Sequence, residues 1–277
     1  MGLFFVAPTL ILLIAFVLLP TLGAVALSFT DWALVGAPKP VGATNYEGLM
    51  SDRQFIDAVI VTLKVGVGIA VPSALLALVL AVISDSNMRF ASAYQSIIFL
   101  PAVLPSVVTT IIWGVMYQKA GFINELLGVD IPWLTNSNWA LPALLLLMIW
   151  TNLGYYTVIM VAGVKDVPRE CLEAESVDGA GAWKRFIHIT LPLVRPVLLF
   201  VGVIAITDAL TLFVQPYLLT RGGPGDATRT LSELIYETAF QYSGAGKASA
   251  MAVILLLIAA ALAFIQFRVL RPNIEAG

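Results

Sequence analysis

Few residues in this chain could do chemistry, and most of the candidates fail on spacing. A single cysteine, Cys171, excludes an internal disulfide, and with a single histidine, His188, it falls short of the donors of a usual zinc site. Gly246-Lys247 could end a phosphate-cradling loop, but Ala248 stands where Ser or Thr is needed and Gln241 where the first glycine belongs. Gly222-Gly223-Pro224-Gly225 reads as a turn, with no strand before it and no nucleotide-type lysine after it. No apolar stretch holds the Ser/His, paired-Asp or His/Glu metal set of an intramembrane enzyme. The chain carries no engine of its own, and no catalytic residue or metal ligand is assigned.

Two features remain. One is Asp208, a carboxylate inside an otherwise apolar run. An ionisable group within a membrane span is costly and is by default a functional candidate. It lies six residues before Val214, roughly 9 Å along a helix axis, so a hydrated or lysine-paired structural carboxylate stands beside the functional reading. The other is a block of charge: nine of the 21 residues from Lys165 to Arg185 are charged, in a chain that is 60% hydrophobic and 12% charged.

The elements that must position these features follow from hydropathy. A soluble chain carries about a quarter charged residues, so this one is solvated mostly by lipid. Uncharged windows run from Leu3 to Phe29, Val65 to Ser84, Phe90 to Gln118, Ile131 to Val164 and Ala248 to Phe267, and a sixth run, Leu191 to Val214, is interrupted only by Arg195 and Asp208. Each reaches the roughly 20 residues that a helix needs to cross hydrocarbon. Barrel strands would alternate over about ten residues, and these runs do not. The expectation is an all-α membrane protein with six transmembrane helices in one domain, residues 1–277, with spans at about 3–29, 62–84, 92–118, 139–164, 191–214 and 247–268. Ala24-Val25-Ala26 resembles a signal cleavage site, but the apolar stretch is too long and no basic residue precedes it, so a retained helix is expected.

Six spans put both termini on one side, together with the charged segment. That side carries eight Lys and Arg against seven on the other, so raw counts barely orient the chain, although the eight sit in shorter, denser segments. The charged side is therefore expected to face the cytoplasm. A net charge of -2 with no basic stripe gives no reason to expect nucleic acid.

Within the charged segment, Asp166-Val167-Pro168 reads as a helix opening, with Glu170 and Glu173 near the positive end of the helix dipole. Asp178-Gly179 then ends that helix, and Trp183, Phe186 and Ile187 recur at helical spacing before Pro192 opens the next span. On these grounds alone a solvated loop competes with a docking element. Gly66, Ala70 and Ala74 repeat every four residues in the second span and would admit a close helix, within this chain or from another. Pro101 and Pro105 should bend or start helices in the third.

The order Glu173-Ala174, Asp178-Gly179-Ala180, Phe186, Ile189 and Leu191-Pro192 resembles the EAA loop of binding-protein-dependent ABC importer permeases. Asn45-Tyr46 with Asp52, Phe55 and Thr62-Leu63, Phe99-Leu100-Pro101 with Pro105 and Trp113, Gly121 with Asn124, and Thr220 with Gly222-Gly223-Pro224 are similar to landmarks of the carbohydrate, maltose or glycerol-phosphate, subgroup. The resemblance covers most of the chain and implies a type I ABC importer (MetI-like) permease fold with a cytoplasmic coupling helix in the loop at about 165–190. It implies ATPase docking at Glu173, Ala174, Asp178 and Gly179, with Glu175 a departure from the family's usual alanine. It also implies a substrate path at Ala205, Asp208, Ala209 and Leu212, with aromatic contacts at Trp150 and Tyr155. Taken alone, those two aromatics read as packing or interface-belt residues. Asp208 replaces an apolar or aromatic type common in the family. The implied partners are a second homologous permease subunit, two cytoplasmic ATPase subunits that carry ATP and Mg, an extracytoplasmic solute-binding protein and membrane lipid, with no cofactor on this chain. The implied location is a bacterial inner membrane. A proton- or sodium-driven carrier using Asp208 is the rival, and no inverted repeat supports it.

Overall fold

The computed structural model describes residues 2–85, 91–168, 170 and 181–270. Apolar length generates most of it. Helix α1 (Phe5–Leu27) leads to a two-residue hairpin, β1 (Thr30–Asp31) and β2 (Lys39–Pro40), and to α2 (Thr44–Ser51). Next come α3 (Arg53–Asp85), the bent pair α4 (Ala93–Val103) and α5 (Ser106–Met116), short α6 (Phe122–Leu127) and α7 (Ser137–Lys165). Then follow α8 (Trp183–Leu210), α9 (Val214–Leu219), α10 (Leu231–Tyr236) and α11 (Ala245–Leu270). Five of these helices are long and apolar enough to cross a membrane, and the bent pair makes a sixth when taken as one span.

Three boundaries differ from the hydropathy windows, each for a local reason. The second long helix starts at Arg53, well before the apolar run, because Asp52 caps it: its Oδ1 accepts from Gln54 N at 3.0 Å. The third span turns through 95° at Leu104-Pro105. Pro105 offers no N–H and bars Leu104 from helical geometry, whereas Pro101 stays inside α4 without breaking it. The fifth starts at Trp183, runs through a π turn at Phe186–Thr190 and past Pro192, and stops at Leu210, where Thr211 to Phe213 leave the helix. The expected second short helix of the charged segment is therefore the first turns of a span. Asp166 closes α7 as its C-cap, and most of the helix expected to open after Pro168 lies outside the described residues.

Small residues let α3, α7 and α8 come together. Ala70, Ala74, Ala77 and Ala81 of α3 pack with Tyr156 and Met160 of α7 and Val194, Val201 and Ala205 of α8 in one buried cluster. Ala70 and Ala74 of the every-fourth-residue stripe of α3 thus serve packing within the chain, whereas Gly66 stands outside this cluster. Helix α4 crosses α7 at Gly154, where an added β-carbon would overlap the Ile98 carbonyl oxygen and the Phe99 backbone. At the end that carries the hairpin, α2 and α10, contacts distant in sequence tie the bundle. Lys247 donates to Asp52 Oδ2 at 2.8 Å, the Asn45 amide donates to the Ser28 and Thr30 carbonyls, and Leu231 N donates to Thr62 Oγ1 at 2.8 Å. The hydrogen bond from Lys247 holds the Asp52 carboxyl below the usual carboxylate range, so this link stabilises the fold above that range and is lost as pH falls through the lowered value.

Gly154→Ala should lower the thermal midpoint of the detergent-solubilised protein by the equivalent of about 1–3 kcal/mol, because backbone blocks the new methyl. Gly66→Ala, which meets nothing within 4 Å, should leave it nearly unchanged. Scanning both variants by differential fluorimetry tests the pair; equal losses would contradict the packing described.

Candidate functional site

Asp208 lies in the last turn of α8. The phenol of Tyr156, fully buried on α7, donates to its Oδ2 at 3.1 Å, and Oδ1 has no partner among the described residues. Thr207, Asp208 and Thr211 are all exposed in the isolated chain, on a face that no other described element covers. The two threonines satisfy their hydroxyls on their own helix: Thr207 donates to the Val203 carbonyl at 2.9 Å, and Thr211 to that of Asp208 at 3.2 Å. Their methyls and the free carboxylate oxygen are what the face presents. Hydrocarbon cannot solvate such a carboxylate, so this face meets water, solute or another protein surface.

The other path residues named from the sequence divide. Ala205 is buried in the cluster with Tyr156 and Val201, and Ala209 and Leu212 are buried against Val65, Ile69, Leu144 and Met148. These three set how closely α8 approaches α3 and α7; they do not join the open face of Asp208. Tyr155 is exposed, and its ring centre lies 5.9 Å from that of Tyr156. The offset counted back from the charged loop therefore passes by one residue the tyrosine that meets Asp208, and on a helix one residue is about 100° of rotation. Trp150 stacks at a tilt 5.3 Å from Trp113 and lines an apolar cavity of about 480 Å³ with Leu104, Ile112, Met116 and Phe122. It belongs to that cavity and not to the surroundings of Asp208.

A second feature escaped the sequence reading. Beyond the end of α8, Phe213 and Tyr217 stack at 5.1 Å, Tyr236 lies 4.9 Å from Phe213 and 5.5 Å from Tyr217, and Phe240 extends the string by 5.3 Å. Its signal was available in the two four-residue aromatic spacings, Phe213 to Tyr217 and Tyr236 to Phe240. Among the described residues no group of three His, Cys, Asp or Glu could hold a metal ion.

Glu173, Ala174, Asp178 and Gly179 lie outside the described residues. The segment that follows them is described from Gly181: Trp183 is 73% exposed and stacks on Phe186 at 5.7 Å, which puts a large aromatic surface on the first turn of α8.

Residues 67–275 match the family of binding-protein-dependent transport system inner membrane components. The chain belongs to that family. It is 35% identical, over 96% of its own length and 89% of the relative's, to a probable ABC transporter permease, YesP, of Bacillus subtilis. It is 30% identical to the lactose transport system permease LacF of Rhizobium radiobacter, over 98% and 94% of the two chains. Its fold is similar, with a TM-score of 0.84 and 21% identity over 96% of this chain and 93% of the other, to a chain in the crystal structure of a bacterial ABC transporter that imports the acidic polysaccharide alginate. The protein is therefore a transmembrane permease subunit of an ATP-driven importer of type I fold, and ATP hydrolysis belongs to separate subunits. Membership also removes the ion-coupled carrier reading of Asp208.

Tyr156→Phe should remove the one described partner of Asp208 and cost about 1 kcal/mol in stability, whereas Tyr155→Phe should cost almost nothing. Paired thermal scans of the two purified variants check this.

Proposed function

We propose that the chain is one of two unlike permease subunits of an importer for a sugar or sugar-like solute, delivered by an extracytoplasmic binding protein and driven by two cytoplasmic ATPase subunits. ATP and Mg are held by those subunits, and this chain needs no cofactor. The location is a bacterial inner membrane, with both termini and the charged segment in the cytoplasm. Relatives named for lactose, for starch degradation products and for diacetylchitobiose support a carbohydrate cargo, and a solved relative of the fold in complex with its periplasmic protein supports delivery by such a partner.

One observation carries the reading: a single helix without a break, α8, starts next to the charged segment at Trp183 and ends two residues past Asp208. From Trp183 to Asp208 it spans roughly 38 Å. In this proposal Glu173, Ala174, Asp178 and Gly179 seat in the ATPase, with Trp183 widening the contact. Closure of the ATPases on ATP displaces the segment, and α8 carries the displacement to the path. The carboxylate of Asp208 accepts hydrogen bonds from solute hydroxyls, its orientation fixed by Tyr156. Trp150 and Tyr155, both exposed in the isolated chain, contribute to the interface with the second permease.

Reconstitution with the neighbouring subunits tests the whole reading: uptake should require ATP, fail with a non-hydrolysable analogue and survive an ionophore. Glu173→Ala or Gly179→Val should leave ATPase activity high while uptake drops by about tenfold or more, the signature of lost coupling; normal uptake in both variants would remove the docking assignment. Asp208→Asn should raise the half-saturating solute concentration by about tenfold, in line with the loss of a charged hydrogen bond, with the subunits still assembled. Unchanged uptake kinetics would return Asp208 to a structural role.

A further inference from the structure

The loop between α9 and α10 runs into a buried group of charges that neither the path nor the coupling segment uses. Glu233 and Glu237 lie four residues apart on α10 and the π turn at Glu237–Gln241 that continues it, and Arg229, in the loop just before the Thr230 cap, folds its side chain back toward them. Arg229 reaches Asp226 through Nη1 at 2.8 Å and Glu237 through Nε at 3.4 Å. It also lies against Gly222, where an added β-carbon would come within 2.9 Å of Arg229 Cβ. Behind it, Glu233 has 0% exposure, and neither Oε1 nor Oε2 has a hydrogen-bond partner among the described residues.

Thr230-x-x-Glu233 spells a capping box, in which the glutamate would turn back to the cap N–H. Only one half forms: Thr230 Oγ1 accepts from Glu233 N at 3.3 Å, and the carboxyl goes elsewhere. An ionised carboxylate there would be cut off from water, without donors and beside the like charge of Glu237. Burial first, and then repulsion from Glu237, raises the Glu233 carboxyl to about 7, with Asp226 adding repulsion and Arg229 opposing it. The charged residues near the start of the packed helices, Arg53, Asp57 and Lys64 on α3 and Lys247 on α11, take no part in this shift; Arg53 is paired with Asp57 and Lys247 with Asp52.

We propose that Glu233 is a proton-binding site that sets the shape of the Thr220 to Thr230 loop through the choice of partner made by Arg229. With Glu233 neutral, Arg229 is left to Asp226 and Glu237. With Glu233 ionised, the guanidinium is drawn inward and leaves Asp226. The loop depends on that grip. Arg221 and Asp226 hold φ at 48° and 61°, in the left-handed region that residues with side chains adopt at a cost, so each needs its surroundings to keep it there. Inside the loop, Thr228 Oγ1 donates to the Gly223 carbonyl at 3.0 Å and lies 2.6 Å from Thr220 Oγ1, a cradle that Arg229 closes from the outside. The sign follows from the raised value: the folded chain keeps a proton that the unfolded chain gives up, so stability falls as pH rises from the usual glutamate range to about 7 and is flat above it.

This goes beyond the proposed function and uses it only to place the loop on the external side. The test needs no transport. In the assembled complex in nanodiscs, the infrared band of a buried carboxylic acid should vanish with a midpoint near pH 7 and be missing from Glu233→Gln. Trypsin cleavage after Arg221, normalised to Glu233→Gln at each pH, should rise about threefold between about pH 6 and about pH 8. A band unchanged in Glu233→Gln, or a normalised cleavage ratio that is flat with pH, overturns the proposal. Should Glu233→Gln fail to assemble, Glu237→Gln decides: with the like charge gone, the midpoint of the band should move down, and an unmoved midpoint is fatal. A chain that shows the loop response but no ATP-driven uptake would keep this inference and defeat the function proposed above.

Discussion

Lipid cannot solvate a carboxylate, and that constraint organises the functional end of this permease. Asp208 is exposed on α8 with one oxygen held by Tyr156 and the other free. In hydrocarbon such a face would cost several kcal/mol, so the isolated chain is an incomplete object: the Thr207, Asp208 and Thr211 face has to be met by water, solute or a neighbour. The buried side of the same helix has the opposite character. Val194, Val201, Ala205 and Ala209 let α8 settle closely on α3 and α7, which fixes the rotation of the helix and hence the direction in which Asp208 points.

Span number and span type were legible because they depend on apolar length, a property additive along the chain. The family landmarks were legible as a pattern, and several prove to be structural pins: Asn45 ties the first loop, Asp52 caps α3 and holds Lys247, Thr62 receives Leu231, and Asn124 accepts from the Trp133 indole at 2.8 Å. Residue-level aim was less legible. A count along the chain put Tyr155 beside the path, but which of two adjacent tyrosines meets Asp208 depends on how α7 rotates when Ala and Gly positions pack, and no single segment encodes that. The bend at Leu104-Pro105 was visible as proline chemistry, while its angle of 95° comes from packing around α4 and α7. The burial of Glu233 and Glu237 had no signal in the sequence, because it comes from packing of α10 against α3 and α11.

The two ends of the bundle are built for different tasks. At the end holding the hairpin, α2 and α10, hydrogen bonds and an ion pair connect residues nearly 200 positions apart, and a cluster of Leu49, Phe55, Leu231, Leu234 and Met251 fills the space between them. Such long-range, mutually supporting contacts make this end resistant to piecemeal opening. At the other end, the first turns of α8 present Trp183 and Ile187 outward. Exposed apolar surface of this kind, next to a dense block of charge, is what a docking partner can cover.

The consequence for movement follows from where α8 is held. Its end beside Asp208 is clamped: Ser232 Oγ donates to the Leu210 carbonyl at 3.1 Å, and Thr230 Oγ1 to that of Leu212 at 2.8 Å. Its end beside Trp183 is entered through a π turn and carries Pro192 and Pro196, yet the helix runs on without a break to Leu210. A pull applied at Trp183 therefore acts on a lever whose pivot lies near Leu210, roughly 40 Å away, while Asp208 sits only about 3 Å from that pivot. Under the proposed coupling, a displacement at Trp183 would move that end of the helix far and the carboxylate little. A solute held by Asp208 would then stay in place while the Trp183 end of the bundle opens and closes, which is the geometry that alternating access around a fixed site requires.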